Sequence, residues 1–234
     1  YLNDFYLGIN SSNFYEKIET NSTASAMQKK QEGNYWDSFI TLDMNYDKRN
    51  QKFQTNSGFK SFYSVDLPII SETNTIKNYY NYSKYFNFFE KNFSSISLHL
   101  QSANSLSNKD VKLSERITIP SSRLRGFEAG RVGPKDGDDF IGGNYAYSIN
   151  FASNVPQFFE ESQNFDFLIF ADMADIWGVD YDSSIKGDGI RSSVGVGLDW
   201  TSPIGPLNFA LAYPISKQTG DKTESFRFNL GTTF

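Results

Sequence analysis

The side chains best suited to chemistry in this sequence are two arginines, Arg123 and Arg125, in a glycine- and arginine-rich segment that runs to Asp136. Two aspartates further along, Asp166 and Asp172, fall on the polar face of an alternating segment. A guanidinium that is removed from water needs a partner, and a carboxylate can accept two parallel hydrogen bonds from it. The residues therefore predict an anchored loop, with a solvated loop arginine as the alternative.

Enzymatic and metal chemistry have few candidate residues. The chain has no cysteine and a single histidine, His99, which excludes thiol chemistry, histidine triads and multi-histidine metal sites. The aspartates of Asp136–Asp139 and Asp180–Asp182 are more typical of solvated loops than of calcium sites. The glycines of Gly195–Gly197 and Gly130–Gly143 lack the remaining residues of nucleotide-binding loops. We predict no enzyme, no cofactor and no metal site.

Bulk composition restricts the partners. The net charge of -5 and the absence of a basic run argue against nucleic acid. No apolar run approaches the roughly 20 residues of a transmembrane helix, and the mean hydropathy is -0.49. A membrane β-barrel keeps its mean hydropathy low because only alternate residues face lipid. The 22 phenylalanines and 14 tyrosines are typical of the aromatic girdles of such a barrel.

Alternation of apolar and polar residues predicts ten β-strands. They are Asp4–Ser12, Asp37–Tyr46, Gly58–Leu67, Ile76–Phe88, Asn92–Ser102, Ile141–Ala152, Asn164–Ala174, Ile190–Trp200, Leu207–Tyr213 and Glu224–Phe234. The polar tract Glu16–Tyr35 is predicted to be a loop that can hold a short helix, and His99 is predicted to face the lumen. A soluble sandwich produces the same alternation, so periodicity alone leaves both architectures open.

Connection lengths favour the membrane barrel. Long polar connections are predicted at Asn13–Trp36, Ile70–Thr75, Ala103–Phe140, Asp175–Gly189 and Ser216–Thr223. Mostly shorter ones alternate with them, at Asp47–Ser57, Phe89–Lys91, Ser153–Gln163 and Thr201–Pro206. Long loops on one side and short turns on the other are typical of bacterial outer-membrane barrels. We predict one all-β domain over residues 1–234, a transmembrane antiparallel β-barrel.

Several ordered motifs resemble the BamA family of outer-membrane protein assembly factors. They are Arg125-Gly126-Phe127, Gly133-Pro134-Lys135, Ile141–Asn144, Phe170-Ala171-Asp172, Ile176-Trp177, Arg191–Leu207 and Glu224–Phe234. The resemblance is nearly continuous from Arg123 onward. Before that residue it is looser and rests mainly on Tyr46-Asp47 and Asn56–Phe59.

The resemblance implies a sixteen-stranded barrel preceded by periplasmic POTRA domains. This chain then corresponds to about the last ten strands, an incomplete barrel that lacks the POTRA domains and the first strands. The start at Tyr1 shows no signal peptide, and we expect an N-terminally incomplete piece of a longer precursor.

The implied function is the central subunit of the β-barrel assembly machinery, which folds and inserts outer-membrane proteins through a lateral seam without covalent chemistry. The implied location is the outer membrane of a Gram-negative bacterium. Expected partners are the lipid bilayer, unfolded outer-membrane proteins and accessory lipoproteins that bind mainly through the missing POTRA region.

The resemblance also implies roles for individual residues. Arg125, in a loop motif with Arg123, Gly126 and Phe127, is expected to dock on Asp172 of the inner wall. The family usually has a second acidic residue where this chain has Asn150, which we expect to act as a secondary acceptor. The C-terminal segment is similar to the β-signal of outer-membrane proteins and is expected to form the seam strand. Its residues are Phe226, Phe228, Leu230, Gly231 and Phe234.

Two rival functions stay open at this point. A two-partner secretion or translocation-and-assembly transporter of the same superfamily would share the arginine loop. A passive porin would instead carry a constriction loop lined by charge.

Overall fold

The computed structural model describes residues 4–52, 54–155, 164–187, 189–202 and 205–230. In chain order the elements are β1 (Phe5–Ile18), α1 (Ala26–Lys29), β2 (Gly33–Asp47), β3 (Gly58–Ile70), β4 (Thr75–Phe86), β5 (Ser94–Ser105), a 3-10 turn (Leu113–Glu115), β6 (Lys135–Asp136), β7 (Asp139–Phe140), β8 (Tyr145–Val155), β9 (Phe165–Trp177), β10 (Arg191–Ser202), β11 (Gly205–Ser216) and β12 (Phe226–Leu230). Within the described part of the chain, no helix has the length and apolar character needed to cross a membrane.

Ten strands form one antiparallel sheet in the order β1-β2-β3-β4-β5-β8-β9-β10-β11-β12, and β6 and β7 form a separate small hairpin. Each strand of the large sheet pairs with its neighbours in sequence, apart from the hairpin inserted between β5 and β8. Among the described residues, β1 and β12 do not pair with each other. The prediction of an all-β antiparallel wall of an incomplete barrel is confirmed.

Strand boundaries differ most from the prediction in β1, β2 and β8. Strands β1 and β2 continue through the tract predicted as loop, with pairs from Asn13↔Ser38 to Ile18↔Gly33, because ladder hydrogen bonds use the backbone whatever the polarity of the side chains. The short helix α1 lies between them and is capped at its N-terminus by a capping box of Ser25 and Gln28. Strand β8 begins later than predicted.

The late start of β8 has a local cause. Gly143 and Ile117 exchange two backbone hydrogen bonds of 2.8 and 2.9 Å, so Gly143, which lies in the segment predicted as strand, pairs with the loop instead of the sheet. Tyr145 is then the first residue of β8 that pairs with β9.

The two faces of the sheet differ in polarity and exposure. In β9, Phe167 and Ile169 are 49% and 46% exposed on the outer face. On the inner face of the same strand, Leu168, Phe170 and Asp172 are at most 9% exposed. An apolar outer face and an inner face that includes charged groups fit a wall between lipid and a lumen.

Connections alternate between the two ends of the sheet. Among the described residues, we call the end that carries residues 19–32, 71–74, 106–144, 178–187, 189–190 and 217–225 the loop end, and the opposite end, with residues 48–52, 54–57 and 87–93, the turn end. The length asymmetry is not uniform, because the β3–β4 connection at the loop end is shorter than the β2–β3 connection at the turn end.

The longest connection, residues 106–144, which we call the inner loop, packs on the inner face of the sheet. Its apolar side chains form one buried cluster with small and aliphatic residues of β5, β8 and β9. The cluster comprises Ala103, Val111, Ile117, Ile119, Leu124, Phe127, Val132, Ala146, Ala174 and Ile176. The inner face is therefore filled with apolar side chains near the loop end, because alanines on the wall leave room for the loop's larger side chains.

Candidate functional site

The inner loop is held to the wall by a buried ion pair between Arg125 and Asp172. The Arg125 Nε and Nη2 atoms donate to the two Asp172 carboxylate oxygens at 2.7 Å each. The Arg125 backbone N–H donates to the same carboxylate at 3.0 Å. The two residues are only 5% and 2% exposed. This two-pronged geometry fixes the direction of the loop as well as its position.

Strand register builds the cradle for this pair. Asn150 of β8 lies directly opposite Asp172 of β9, and Asp172 lies opposite Ser193 of β10. The Ser193 hydroxyl donates to the Arg125 carbonyl, and the Asn150 amide donates to the Arg123 carbonyl at 2.9 Å. Three neighbouring strands therefore each hold the loop through one side chain.

The role expected for Asn150 was wrong in its direction. The Asn150 Nδ2 group donates to Asp172 at 2.7 Å and to the Arg123 carbonyl, and its Oδ1 atom accepts from the Ser148 hydroxyl at 3.3 Å. Toward the Arg125–Asp172 pair, Asn150 is therefore a donor and not a secondary acceptor. The Asp172 carboxylate and the Arg123 carbonyl both present oxygen acceptors to Asn150, so the amide must turn its NH2 group toward them. Asn150 thus supports the carboxylate that pairs with Arg125.

Phe170 completes the surroundings of Arg125. The Arg125 guanidinium carbon lies 3.6 Å from the centre of the Phe170 ring, a cation–π contact in a desolvated site. The ring lies over Gly195 of β10, where an added Cβ would sit 2.3 Å from the Phe170 Cζ atom. Sequence reasoning placed Phe170 on the same face as Asp172 but missed its contact, because alternation gives the face and not the neighbour on the next strand.

Gly126 and Phe127 carry the loop onward to the β11–β12 connection. Gly126 has a φ of +93°, and a Cβ there would lie 3.2 and 3.3 Å from the Cβ atoms of Ala212 and Ser193. Only glycine combines this backbone conformation with so close an approach. Phe127 is 1% exposed in the apolar cluster and forms an isolated bridge with Thr223.

Arg123 turns the other way, toward β4 and β5. Its Nη1 atom lies 2.5 Å from the His99 Nε2 atom, and its Nη2 atom donates to the Tyr79 hydroxyl at 3.2 Å. His99 is 3% exposed on the inner face, the lumen side that the sequence indicates. The two arginines of the motif therefore attach the loop to opposite parts of the wall.

Three further buried cations, Lys112, Arg116 and Arg191, fix the loop end, and sequence reasoning missed all three. Lys112 is 2% exposed and forms ion pairs with Asp37 and Glu16. Burial lowers the pKa of Lys112, but hydrogen bonds to the two carboxylates outweigh that effect and leave the pKa raised. Arg191, 1% exposed, pairs with Asp175 at 3.1 Å and Asp221 at 3.0 Å. Arg191 opens a strand on the polar face, which is the only signal of its role that the sequence carries.

The aspartates considered for calcium form protein contacts instead. Asp136 accepts hydrogen bonds from Ser25 at 2.5 Å and from Tyr181 at 2.9 Å, so it joins three loop-end connections. Asp180 accepts from the Val111 backbone at 2.8 Å and pairs with Arg116. Among the described residues, no group of three or more metal-ligating side chains is present.

The last strand presents its apolar residues outward. Phe226, Phe228 and Leu230 are 54%, 48% and 63% exposed, and β12 pairs with β11 from Leu207↔Leu230 to Leu211↔Phe226. Gly231 and Phe234, also expected in this seam strand, lie outside the described residues.

Comparison with known proteins gives a consistent family. The family model of the Omp85 superfamily domain matches residues 3–234. Outer membrane protein assembly factor BamA of Neisseria meningitidis serogroup B is 31% identical over 140 residues, which cover 47% of this chain and 17% of that protein. BamA of Neorickettsia risticii is 30% identical over 132 residues, covering 55% of this chain and 18% of that protein.

A solved structure shows the same fold. The crystal structure of BamA from Haemophilus ducreyi lacking POTRA domains 1–3 superimposes with a TM-score of 0.81 at 24% identity. It covers 96% of this chain and 50% of that one. The matched part thus spans half of the solved relative and less than a fifth of the two curated relatives.

Proposed function

This chain belongs to the Omp85 superfamily, and on that basis we propose that it is the C-terminal part of the barrel of a BamA-type assembly factor. Its location is the outer membrane of a Gram-negative bacterium. In this proposal the whole protein is the central subunit of the β-barrel assembly machinery, and it folds and inserts other barrels without covalent chemistry. Its partners are the bilayer, unfolded outer-membrane proteins and accessory lipoproteins.

The observation that carries the proposal is the inner loop fixed on the wall through Arg125 and Asp172. A passive pore needs a wet, open lumen, whereas here the loop and wall share a dry apolar cluster. The ion pair, the Phe170 contact and the Gly126 approach all hold the loop in one place. Such a fixed loop argues against a passive porin, and the BamA relatives favour an assembly factor over the transporters that share the arginine loop.

The wall contains a candidate for the lateral seam. Among the described residues, one side of β12 pairs with β11 and its other side has no strand partner. Unpaired backbone groups in lipid cost several kcal/mol each, so the assembled barrel must cover that edge with another strand. We propose that this junction opens to accept a strand of the protein being inserted.

The central test replaces Asp172 with arginine in the full-length protein, in cells depleted of the native copy. Charge reversal leaves two buried guanidinium groups facing each other, and we expect loss of outer-membrane protein assembly. Asp182→Arg is the matched control, because Asp182 lies in a loop and accepts hydrogen bonds from Ser184.

Membrane levels of the variant and the heat-dependent gel shift of folded barrels separate an assembly defect from misfolding. Asp172→Asn, which keeps the shape of the side chain, serves if the arginine variant does not fold. Normal assembly by a folded Asp172→Arg protein would disprove the role given to the ion pair.

A further inference from the structure

At the turn end of the inner wall, polar side chains form a row across β9, β10 and β11. Asp166 lies directly opposite Asp199, and Asp199 lies opposite Asn208. The Asn208 Nδ2 group donates to the Asp199 carboxylate at 2.7 Å. The row is separate from the Arg125 site, because the rows of Leu168 and Phe170 lie between them on β9.

Asn208 has an unused acceptor in this row. Its side chain is fully buried, at 0% exposure, and among the described residues nothing donates to its Oδ1 atom. The amide orientation is fixed, because the opposite one would point the oxygen at the Asp199 carboxylate. A buried carbonyl oxygen of this kind calls for a donor from outside the row.

The row forms one wall of a cavity of about 250 Å³, which we call the turn-end cavity, with the β2–β3 connection opposite. The Gln54 amide donates to one Asp166 oxygen at 3.2 Å, which leaves further acceptors on both carboxylates. The cavity is also lined by Tyr85, Phe93 and Leu168. It therefore combines a wall that carries two carboxylates with apolar and aromatic surface.

These features select a class of ligand. Two carboxylates and one amide provide few of the six to eight oxygen ligands of a calcium ion, and the volume far exceeds that of a bare ion. Arginine and lysine side chains have a charged, donor-only head on an apolar stem, which matches both kinds of surface. Arg49, which also lines the cavity, is already paired with Asp47 at 2.7 Å.

We propose that the turn-end cavity binds a basic side chain, with Asp166, Asp199 and the Asn208 carbonyl as its acceptors. The source is a polypeptide that reaches the lumen from the turn end. The identity of that polypeptide as a barrel being assembled rests on the proposed function, whereas the binding does not. Lys52 of the β2–β3 connection lines the same cavity and is the basic side chain of this chain that would compete.

The test measures binding of two labelled peptides to the purified full-length protein in detergent, by fluorescence anisotropy at low salt. The peptides are Ser-Thr-Arg-Thr-Ser and the same sequence with citrulline, a neutral side chain of the same shape, in place of arginine. We expect the arginine peptide to bind about tenfold more tightly, because charge-assisted hydrogen bonds replace neutral ones. Asp199→Asn should remove most of that preference, and Asp182→Asn should preserve it.

Two outcomes overturn the proposal: equal binding of the two peptides by the unaltered protein, or an arginine preference that Asp199→Asn and Asp166→Asn both leave intact. The peptide comparison needs no variant, so a folding defect cannot obscure it.

Lys52→Met separates the two sources of the basic group. Tighter arginine binding in that variant identifies Lys52 as the competitor, and unchanged binding restricts the site to an external polypeptide. No assembly reaction is involved, so failure here is distinct from failure of the proposed function.

Discussion

A buried guanidinium is costly unless its N–H groups are paired, and Arg125 shows how several small contributions achieve this. Asp172 supplies the countercharge, Phe170 covers the flat face of the group, and Asn150 orients the carboxylate. Removing a single partner from such a group leaves an uncompensated charge, at a cost of about 3–5 kcal/mol. The loop position therefore depends on the wall residues that surround the Arg125 side chain.

The close packing of the Phe170 ring on Gly195 allows a prediction about stability. Gly195→Ala should lower the free energy of unfolding by about 1–3 kcal/mol, the usual cost of overpacking, because its Cβ would lie 2.3 Å from the Phe170 ring and 2.2 Å from the Leu211 carbonyl oxygen. Gly197→Ala on the same face is the control, since its nearest contact would be 3.4 Å. Urea unfolding in lipid vesicles measures both, and equal stability of the two variants would contradict the packing argument.

Among the elements, the inner loop depends on ionic contacts at the loop end as well as on its apolar cluster. Lys112, Arg116 and Arg191 are all at most 6% exposed, and each pairs with carboxylates from other segments. These pairs join connections that are far apart in sequence, so the loop end behaves as one packed layer.

Asp180 gives a pH prediction for this layer. Burial raises the pKa of Asp180, but the Val111 backbone hydrogen bond and the Arg116 charge outweigh it and leave the pKa below its usual value. Because the folded-state pKa is lowered, the ionised Asp180 carboxylate stabilises the loop fully at pH values above the unfolded-state pKa of about 3.9. This stabilisation is lost as the pH falls through the folded-state pKa.

Asp180→Asn should therefore make the inner loop more sensitive to protease at pH 7. The difference from the unaltered protein should vanish at the acidic end of the range, where Asp180 is protonated in both states. Limited proteolysis at a series of pH values, with an acid-active and a neutral protease, measures this difference in protease sensitivity. A difference that stayed constant down to the lowest pH would exclude Asp180 ionisation as the cause.

The seam strand β12 is the other element with a testable role. One cysteine at Asn229 and a second on the strand that covers this edge in the full-length protein would form a disulfide across the seam, and this chain has no cysteine of its own that could compete. We expect oxidation to stop assembly and reduction to restore it. The same pair of cysteines placed across β10 and β11, at Val196 and Leu211, controls for oxidation itself. Full assembly with the seam locked would rule out lateral opening.

For the molecule as a whole, the outer face determines where it can reside. Val194, Val196, Leu211 and Tyr213 are 43% to 71% exposed on neighbouring strands, an apolar surface that water disfavours and lipid accepts. The inner face is meanwhile filled by the loop near one end. These two features together make the sheet a membrane wall and not one layer of a soluble sandwich, the architecture that periodicity left open.

Val196→Arg should lower the free energy of unfolding in phospholipid vesicles by about 2–4 kcal/mol, the cost of a cation at mid-bilayer on a lipid-facing strand. Ile215→Arg, on the same outer face at the loop-end margin of β11, should cost about 0–1 kcal/mol. Equal costs at the two positions would mean that the centre of the outer face does not face hydrocarbon.

The sequence by itself determined the ten strands of the large sheet, their antiparallel order and the face on which their side chains lie, because a period of two is a local property of the chain. It also indicated the motif arginines and Asp172. Only the tertiary structure decided which residues meet across strands, such as Asn150, Asp172 and Ser193 around Arg125, and that Asn150 donates. Register and loop path depend on packing between residues distant in sequence, and alternation carries no information about that packing.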